Sequence, residues 1–588
     1  MDADQEGWVT VKPEDPAAPS AATLLSAALP PTFELNGAVH ACSSPPQPQA
    51  PTSWSLPGAE VTAQCEHRGH AGSGGGVTGI AVLTTLKNTG TAPLAIGRCE
   101  LLRIPRKALP PAMRLLHYPL GLGQMPMSMV QLGSETTSCN TFAMLHTATP
   151  VAGGMVAFLT WKRSAAVVDV TASAVIAHCD AAGFSLQPGD SIVLETAWIS
   201  DWAAPQIVWE AWPSLAAKAM DARLPKQTPT GWLSWSWQDP AHPQLSGGTC
   251  AEDLYLQSAK ALAEQGFCER GMDFLWLSQT YLGDSDGYTT LPGAWTTEDK
   301  KQHPHGLAWL VEQVKALGFK NGLGLWCAPF WIPNIPAWAS QYGHCCLQDK
   351  DGKPIVHSVD WRFSTPTLTS GFLCLDGSHP DAQAFIGAAY KRWSDMGISY
   401  TMCDFTHGPQ DFWLGGGPEY AKYHDTKMVR GPEVFRGLIR AMRENAGDDF
   451  CLMACTGPDL CGVGLYDAAR ACEDSEEGRP HSFDPQGATY MQGSGNHGGN
   501  RQAVLVRTIA PLPRLDLIAC NSAHQEKCSI RPTPAPRPPG TASCTALRRA
   551  ATSSPWTCRS AQRRLGSTPR WPSSLVASPF KATTRDRG

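Results

Sequence analysis

The sequence lacks a long hydrophobic run, a leader-like N-terminus and a C-x-x-C pair of cysteines. No segment approaches about 18 consecutive apolar residues, so no transmembrane helix is predicted. The N-terminal segment MDADQEGWVT is acidic and has no apolar stretch, which is untypical of a secretory signal peptide and favours a cytoplasmic location, with an organelle left open. Cys451, Cys455 and Cys461 lack the spacing of a C-x-x-C zinc pair, so we expect reduced, mostly buried thiols.

An excess of positive charge is also absent. The net charge of −5 over 588 residues argues against a protein that binds nucleic acid through a basic surface. Hydrophobic residues make up 42% of the chain, which is enough for a folded core. Tryptophan is frequent, at 21 residues, and two interpretations of this stay open: core packing, and stacking against the apolar faces of sugar rings.

The composition changes abruptly near the C-terminus. Residues 521–588 contain 12 Lys and Arg against 2 Asp and Glu, and they show no sustained period of 2 or 3.6. This segment is interpreted either as a disordered basic tail or as a reading-frame or splice error in the gene model, and we favour the error. The chain is therefore divided into a first domain at 1–225, a second at 226–520 and the basic segment at 521–588.

The first region has the pattern of antiparallel β structure. Runs rich in β-branched residues at 76–88, 165–178 and 190–200 are separated by Gly, Pro and Asp turns. No capped amphipathic helix is predicted here. We expect an N-terminal antiparallel β-sandwich.

Strands and helices alternate in the second region. Helices are predicted at 305–318, 378–397 and 432–447, and a further helix begins at a capping box formed by Thr249 and Glu252. Apolar strands that do not alternate with polar residues are typical of a parallel sheet buried on both faces, so this pattern predicts a (β/α)8 TIM barrel. The predicted strands are 232–237, 272–278, 321–329, 398–405, 449–455 and 467–474.

Two carboxylates stand at the ends of predicted strands. Asp404 ends the strand ISYTMCDF, and Asp474 ends the next strand but one. The carboxyl ends of barrel strands form the catalytic face, and a pair of carboxylates there is what glycoside hydrolysis requires. The structural alternative for each aspartate is a helix cap or a turn.

Four segments resemble glycoside hydrolase family 36, the α-galactosidase family. They are GWLSWSW, HPHGLAWLVEQVKALGFKNGLGLWCAPF, LDGSHPDAQAF followed by GISYTMCDF, and CTGPDLCGVGLYDAARACED. The last is the most specific, because its spacing from Cys455 to Asp474 matches that family's pattern without a gap. The resemblance covers about residues 231–501, and a preceding β-sandwich agrees with that family's architecture.

The resemblance implies roles for individual residues. Asp404 takes the place of the nucleophile and Asp474 that of the acid/base, and Arg470 would bind a sugar hydroxyl and hold the carboxylates. Cys455 lies where the family has a sugar contact at the base of the pocket. Tryptophans that would shape the sugar subsite, with core packing as the alternative, are Trp232, Trp235 and Trp326.

The sequence also departs from the family pattern. Ser278 and Gln279 stand where the family has an Asp-Asp pair that holds galactose hydroxyls, and Met402 replaces a lysine two residues before the nucleophile. Loss of charged partners weakens galactose recognition, by about 1.5–3 kcal/mol for each bond. The family's later barrel strands and its small C-terminal β-domain are not found after Arg501, so the barrel is expected to be incomplete at its C-terminal end.

The predicted function is that of a retaining exo-α-glycosidase that acts on terminal α-linked sugars of oligosaccharides. No metal or organic cofactor is expected, and the expected partner is a glycoside, without nucleic acid or membrane, while a homo-oligomer is left open. Two alternatives stay open: a sugar transferase of the raffinose-synthase type, with Trp331 and Trp338 at an acceptor subsite, and a degenerate relative that only binds carbohydrate.

Overall fold

The computed structural model describes most of the first 469 residues. The described ranges are 19–72, 75–111, 113–119, 128–148, 151–223, 225, 229–233, 250–277, 293–357, 371–406, 422–455 and 459–469. Among the helices within these ranges, none combines the length and the apolar character needed to cross a membrane.

The N-terminal part is built mainly from antiparallel strands, with one short helix, α1 (Ala21–Ser26), before them and a longer one, α2 (Pro205–Ala219), after them. A 3-10 turn covers Arg106–Ala108. The strands are β1 Thr32–Leu35, β2 Ala38–Ala41, β3 Thr52–Leu56, β4 Ala59–His67, β5 His70–Gly72, β6 Gly75–Val77, β7 Gly79–Asn88, β8 Leu94–Pro105, β9 Met113–Pro119, β10 Ser128–Gln131, β11 Thr137–Ala148, β12 Val151–Phe158, β13 Ala165–Val170, β14 Ala174–Leu186, β15 Ser191–Val193 and β16 Ala197–Ser200.

All of these strands except β5 and β6 form one continuous hydrogen-bonded sheet. Its order is β2-β1-β8-β14-β13-β11-β12-β16-β7-β4-β3, with β9 and β10 attached at β11 and β15 attached at β7, while β5 and β6 form a separate pair. Phe33 near one end of the sheet and Trp54 near the other belong to the same buried core, so the sheet bends around that core. The antiparallel β class is as predicted, but the layers of the expected sandwich are parts of a single sheet.

Two features of this region differ from the sequence prediction. The run at 165–178 is two strands, because Thr171 turns the chain between β13 and β14 with its Oγ1 accepting from the backbone N–H of Ala174 at 2.9 Å. The 15-residue helix α2 was not predicted, because Ala204 offers no side-chain cap and Pro213 lies inside the helix. Tertiary packing compensates, since Trp212 is fully buried and donates to the carbonyl of Phe158 at 2.8 Å.

The second part contains a six-stranded parallel sheet within the described residues. Its order is β17 Gly231–Leu233, β18 Phe274–Leu277, β19 Gly322–Cys327, β23 Tyr400–Cys403, β24 Cys451–Ala454 and β25 Ala468–Ala469. A small antiparallel sheet inserted after β19 consists of β20 Trp331–Pro333, β21 Val356–His357 and β22 Phe372–Cys374. Helices of this part are α3 Ala251–Glu264, α4 Leu307–Ala316, α5 Pro336–Tyr342, α6 Pro380–Asp395 and α7 Pro432–Ala446, with 3-10 turns at Cys268–Arg270, Gly343–Cys345 and Asp459–Gly462.

Helices connect successive parallel strands as the sequence predicted: α3, α4, α6 and α7 each lie between two neighbouring strands of the sheet. Every residue of β18, β19, β23 and β24 is buried, as expected for a sheet covered on both faces. The helix at 251 begins after Cys250, and Glu252 bonds His305 at 2.6 Å, so the capping box predicted at Thr249 is wrong. Closure into eight strands falls on residues 470–520, outside the described ranges, and stays a prediction, as do the domain boundaries.

The two cores meet through a few specific contacts. Trp161 in the first part donates its Nε1–H to the carbonyl of Leu460, and Arg163 Nε lies 3.2 Å from the carboxylate of Glu433 at the start of α7. Val429 and Leu460 from the second part belong to the first core. The antiparallel sheet therefore supports the segment that leads from β24 to β25.

A buried carboxylate, Asp467, fixes the last described strand. Its Oδ2 accepts from the backbone N–H of Leu452 at 2.8 Å and from the guanidinium of Arg443, and its Oδ1 accepts from Arg223 Nε at 3.1 Å. Arg443 also donates to the carbonyls of Gly447 and Phe450. This network joins α7, β24 and the start of β25.

We expect Asp467→Asn to destabilise the protein by about 3–5 kcal/mol, because Arg443 would stay buried without its anionic partner. The urea midpoint, followed by far-UV circular dichroism, measures the loss. Asp448→Asn is the matched control: this side chain is 86% exposed in its pair with Arg223, so its removal should cost at most about 1 kcal/mol. Equal losses in the two variants would contradict the role given to Asp467.

Candidate functional site

Asp404 stands directly after the fourth parallel strand, at its carboxyl end. Its backbone N–H donates to the carbonyl of Cys327 at 2.7 Å, which extends the hydrogen bonding between β19 and β23 by one residue. Cys455 repeats this arrangement one strand further, where its N–H donates to the carbonyl of Cys403 at 2.9 Å. Both predicted site residues therefore leave the sheet at the same edge, which is the catalytic face of barrel enzymes.

Two donors orient the Asp404 carboxylate. Trp326 Nε1 donates to Oδ2 at 2.9 Å, and the backbone N–H of Phe405 donates to Oδ1 at 2.8 Å. The aspartate is only 9% exposed, and both oxygens are engaged. The two hydrogen bonds hold the carboxylate in one orientation, so the arrangement suits a group that must approach a substrate from a fixed direction.

The backbone after Asp404 is strained and is held by two further tryptophans. Phe405 has φ of 48°, a left-handed conformation that non-glycine residues seldom adopt. Its carbonyl accepts from Trp331 Nε1 at 2.5 Å, and the carbonyl of Trp331 accepts from Trp295 Nε1 at 2.8 Å. This chain of bonds fixes the turn that directs the Phe405 N–H at the carboxylate.

Strand register separates an inner face of the parallel sheet from the face that contacts the helices. Trp326 pairs with Met402, which pairs with Met453, and residues two further along in a strand lie on the same face. Asp404 and Cys455 therefore lie on the inner face with Trp326.

Aromatic rings fill the inner face below Asp404. Phe274 and Tyr400 stack with ring centroids 4.6 Å apart, and the edge of Trp276 contacts Tyr400 at 5.9 Å. Gly324 lies between them, because a Cβ at this position would come within 2.9 Å of both rings. Met402, 6% exposed, lies between this layer and Asp404, so the floor of the site is apolar.

A network of thiols and hydroxyls lies on the opposite, helix-facing side. Tyr390 of α6 places its hydroxyl 3.2 Å from Cys327 Sγ, 3.2 Å from Thr401 Oγ1 and 3.3 Å from Cys403 Sγ. Burial raises the pKa of the Cys327 thiol and of the Tyr390 hydroxyl well above their usual ranges, so these groups are neutral. The network ties α6 to both strands that carry Trp326 and Asp404.

The predicted site residues differ in where the structure places them, and several lie outside the described ranges. Trp326 is fully buried, so it contributes its N–H to Asp404 and does not offer a face for stacking. Trp232 pairs with Leu275, and this strand register places Trp232 on the face of the sheet that contacts the helices. Predicted residues that lie outside the described ranges are Asp474, Arg470, Trp235, Ser278 and Gln279.

Sequence reasoning missed the positioning role of Trp295 and Trp331. Trp331 was considered for an acceptor subsite, but it is fully buried and bonded to Phe405, so that interpretation is wrong. Trp338 is partly buried and packs against Tyr342 and Phe385, with ring centroids 5.4 and 6.0 Å apart. Strand periodicity carried no signal for these bonds, since Trp295 lies outside any strand.

Curated relatives match a short part of the chain. Human α-N-acetylgalactosaminidase is 27% identical over 112 residues, which is 18% of this chain and 25% of the relative, and the mouse protein is 28% identical over 108 residues, 17% of this chain and 23% of the relative. The chain thus spans about a quarter of the length of these relatives. No protein-family profile matches the chain.

Solved structures match over a larger part. The family 36 α-galactosidase AgaA from Geobacillus stearothermophilus, in complex with 1-deoxygalactonojirimycin, is 14% identical with a TM-score of 0.50, over 76% of this chain and 64% of that one. The α-galactosidase TtGalA from Thermus thermophilus is 17% identical with a TM-score of 0.45, over 72% and 78% of the two chains. The match to AgaA shows a similar fold, which confirms the resemblance to family 36 at the level of fold alone.

We expect Trp331→Phe to remove the donor that fixes Phe405 and to leave a partly buried carbonyl without this bond. That loss should cost about 1–3 kcal/mol beyond the effect of the smaller ring, measured from urea unfolding curves. Trp198→Phe is the control, since Trp198 is equally buried and its Nε1 has no hydrogen-bond partner among the described residues. Equal destabilisation of the two variants would show that the bond to Phe405 contributes nothing.

Proposed function

We propose that the chain is a retaining exo-α-glycosidase with Asp404 as its nucleophile. The observation that carries the proposal is the Asp404 carboxylate itself, which is fixed at the carboxyl end of the fourth parallel strand by Trp326 Nε1 and the Phe405 N–H. A nucleophile must approach the sugar from one direction, and these two donors hold the carboxylate in one orientation. The similarity in fold to family 36 supports the same function.

In the first step an Asp404 oxygen attacks the anomeric carbon and the bond from that carbon to the leaving oxygen breaks. Asp474, seven residues beyond Asp467, gives its proton to the departing oxygen. The product is a glycosyl ester on Asp404 with inverted configuration at the anomeric carbon. The Trp326 N–H that orients the carboxylate before attack stays close to the ester oxygen.

In the second step a water molecule attacks the same carbon. Asp474, now a carboxylate, takes a proton from that water, and the bond from the anomeric carbon to Asp404 breaks. Two inversions give net retention of the α-configuration, and no cofactor takes part. The two carboxyl groups of retaining enzymes lie about 5–5.5 Å apart, and we expect those of Asp404 and Asp474 to approach within about 5–6.5 Å.

The proposed substrates are oligosaccharides with a terminal α-linked galactose-like sugar. Structures of Geobacillus stearothermophilus AgaA were solved with raffinose and with a galactose-derived iminosugar, which favours this class. Met402 lies on the inner face beside Asp404, where an apolar side chain offers no charge to sugar hydroxyls. Specificity should therefore be relaxed relative to that of enzymes with a lysine at this position.

The apolar side chain of Met402 also favours a second candidate function, that of a degenerate relative that binds sugar without turnover. The transferase alternative has no such support among the described contacts, because Trp331 is buried beneath the site. A panel of nitrophenyl α-glycosides separates these candidates: hydrolysis without an added acceptor supports the glycosidase, and binding without release of nitrophenol supports the degenerate relative.

Azide should distinguish the roles of the two aspartates. Asp404→Ala should lower kcat by several orders of magnitude, and added azide should restore part of it as a β-glycosyl azide, because azide enters the space of the missing carboxylate. Asp474→Ala should yield the α-glycosyl azide, because azide then intercepts the glycosyl ester. NMR of the azide product gives the configuration.

Asp376→Asn is the control for loss of a buried carboxylate away from the reacting carbon. Asp376 is buried and binds the backbone N–H groups of Ser378 and His424, so its variant should change stability, and azide should produce no glycosyl azide with it. An Asp404→Ala variant that keeps most of the wild-type turnover would refute the assignment of the nucleophile.

Met402→Lys should raise kcat/KM for α-galactosides. An ammonium at this position adds a charged hydrogen bond to a sugar hydroxyl, worth about 1.5–3 kcal/mol, which corresponds to a gain of about 10-fold to 150-fold. Met402→Leu is the matched control and should give no gain, since it keeps the apolar floor. A gain in neither variant would show that residue 402 does not face the bound sugar.

A further inference from the structure

Three histidines and an aspartate lie together at the N-terminal end of α6. His344 Nε2 lies 2.8 Å from Asp381 Oδ2, and the rings of His344 and His379 have centroids 5.4 Å apart. The ring of His424 lies 4.2 Å from that of His379. We name His344, His379, His424 and Asp381 the histidine cluster.

The donor atoms of three members of this cluster are close enough to share one ion. His344, His379 and Asp381 each offer a ligand atom, and these atoms all lie within 4.8 Å of one another. Ligand atoms bound to tetrahedral Zn²⁺ at about 2.0–2.2 Å are separated from one another by about 3.3 Å. Side-chain movements of about 1 Å would bring the three ligand atoms to this separation. The chain contains no other such group within its described ranges.

A buried carboxylate anchors all three segments that carry the cluster. Asp376 is 2% exposed, and its Oδ1 accepts from the N–H of Ser378, next to His379, while its Oδ2 accepts from the N–H of His424. Its own N–H donates to the carbonyl of Cys345, next to His344. The ligand backbones are thus fixed relative to one another, which lowers the ordering cost of binding an ion.

We propose that the histidine cluster binds a divalent transition-metal ion of the zinc class, with His344, His379 and Asp381 as ligands. Two imidazoles with one carboxylate are a donor set that Zn²⁺ and Cu²⁺ prefer over Mg²⁺ or Ca²⁺. The ion displaces the proton between His344 and Asp381 and takes its place. It would join the 3-10 turn at Gly343–Cys345 to the start of α6.

The location gives the ion a structural purpose that is separate from the glycosidase chemistry. Helix α6 connects β19 to β23 and contacts Cys327 and Cys403 through Tyr390, and its N-terminal end points to the edge of the sheet where Asp404 lies. An ion there would fasten the insertion that follows β19 to the edge of the site without touching the carboxylates.

The test uses the full chain after removal of metal by a chelator. Titration calorimetry with ZnCl₂ should give one site, and electron paramagnetic resonance of the Cu²⁺ complex should show splitting from imidazole nitrogen. His344→Ala and His379→Ala should each weaken Zn²⁺ binding by at least about tenfold, and added Zn²⁺ should raise the Tm of the wild-type chain but not that of these two variants. The nitrogen splitting distinguishes this site from the many thiols.

His305→Ala is the matched control. His305 also bonds a carboxylate, Glu252 at 2.6 Å, and its side chain is 61% exposed against 54% for His344, but it belongs to no group of three ligands. This variant should bind Zn²⁺ as the wild type does. The proposal is overturned if the wild type binds no ion, or if the His344→Ala, His379→Ala double variant keeps both the affinity and the nitrogen splitting.

Discussion

Hydrogen bonding between neighbouring parallel strands is the constraint on which the candidate site depends. The bond from the Asp404 N–H to the Cys327 carbonyl continues the pairing of β19 and β23 one residue past the strand, and the bond from Cys455 to Cys403 does the same one strand further. Because the strands are parallel, both side chains leave the sheet at one edge. A chemical group at a strand end is then located by backbone geometry, and only its orientation is left for side chains to determine.

That orientation comes from indole N–H groups. Trp326 donates directly to the carboxylate, whereas Trp331 and Trp295 act through the backbone of Phe405, whose left-handed conformation they stabilise. Indoles suit this role because each supplies one fixed donor and a large apolar surface, so the donor can be buried without a second polar group. The abundance of tryptophan that the composition shows thus has a structural explanation at this site.

The sequence was informative wherever hydrophobic pattern determines structure and uninformative where single contacts do. The alternation of buried strands with helices was visible, and so was Asp404 at a strand end, because burial on both faces leaves a continuous apolar run. Helix α2 was not visible, since it begins without a cap and contains Pro213, and neither was the link from Trp295 to Trp331, which joins residues 36 positions apart. The site role of Cys455 was predicted from the family resemblance alone. The register between β23 and β24 accounts for the position of Cys455 on the inner face.

Successive side chains of β19 and β23 point to opposite faces of the sheet, so adjacent residues place different chemical groups on the two faces. Trp326 and Asp404 lie on the inner face, while Cys327 and Cys403 face Tyr390 of α6. Deletion of a single codon within either strand would exchange these faces, turning thiols toward the cavity and an indole or a carboxylate toward the helix. Such a chain would retain almost all of its amino acids and still lose both the site and the packing behind it, so these two strands tolerate changes of side chain far better than changes of length.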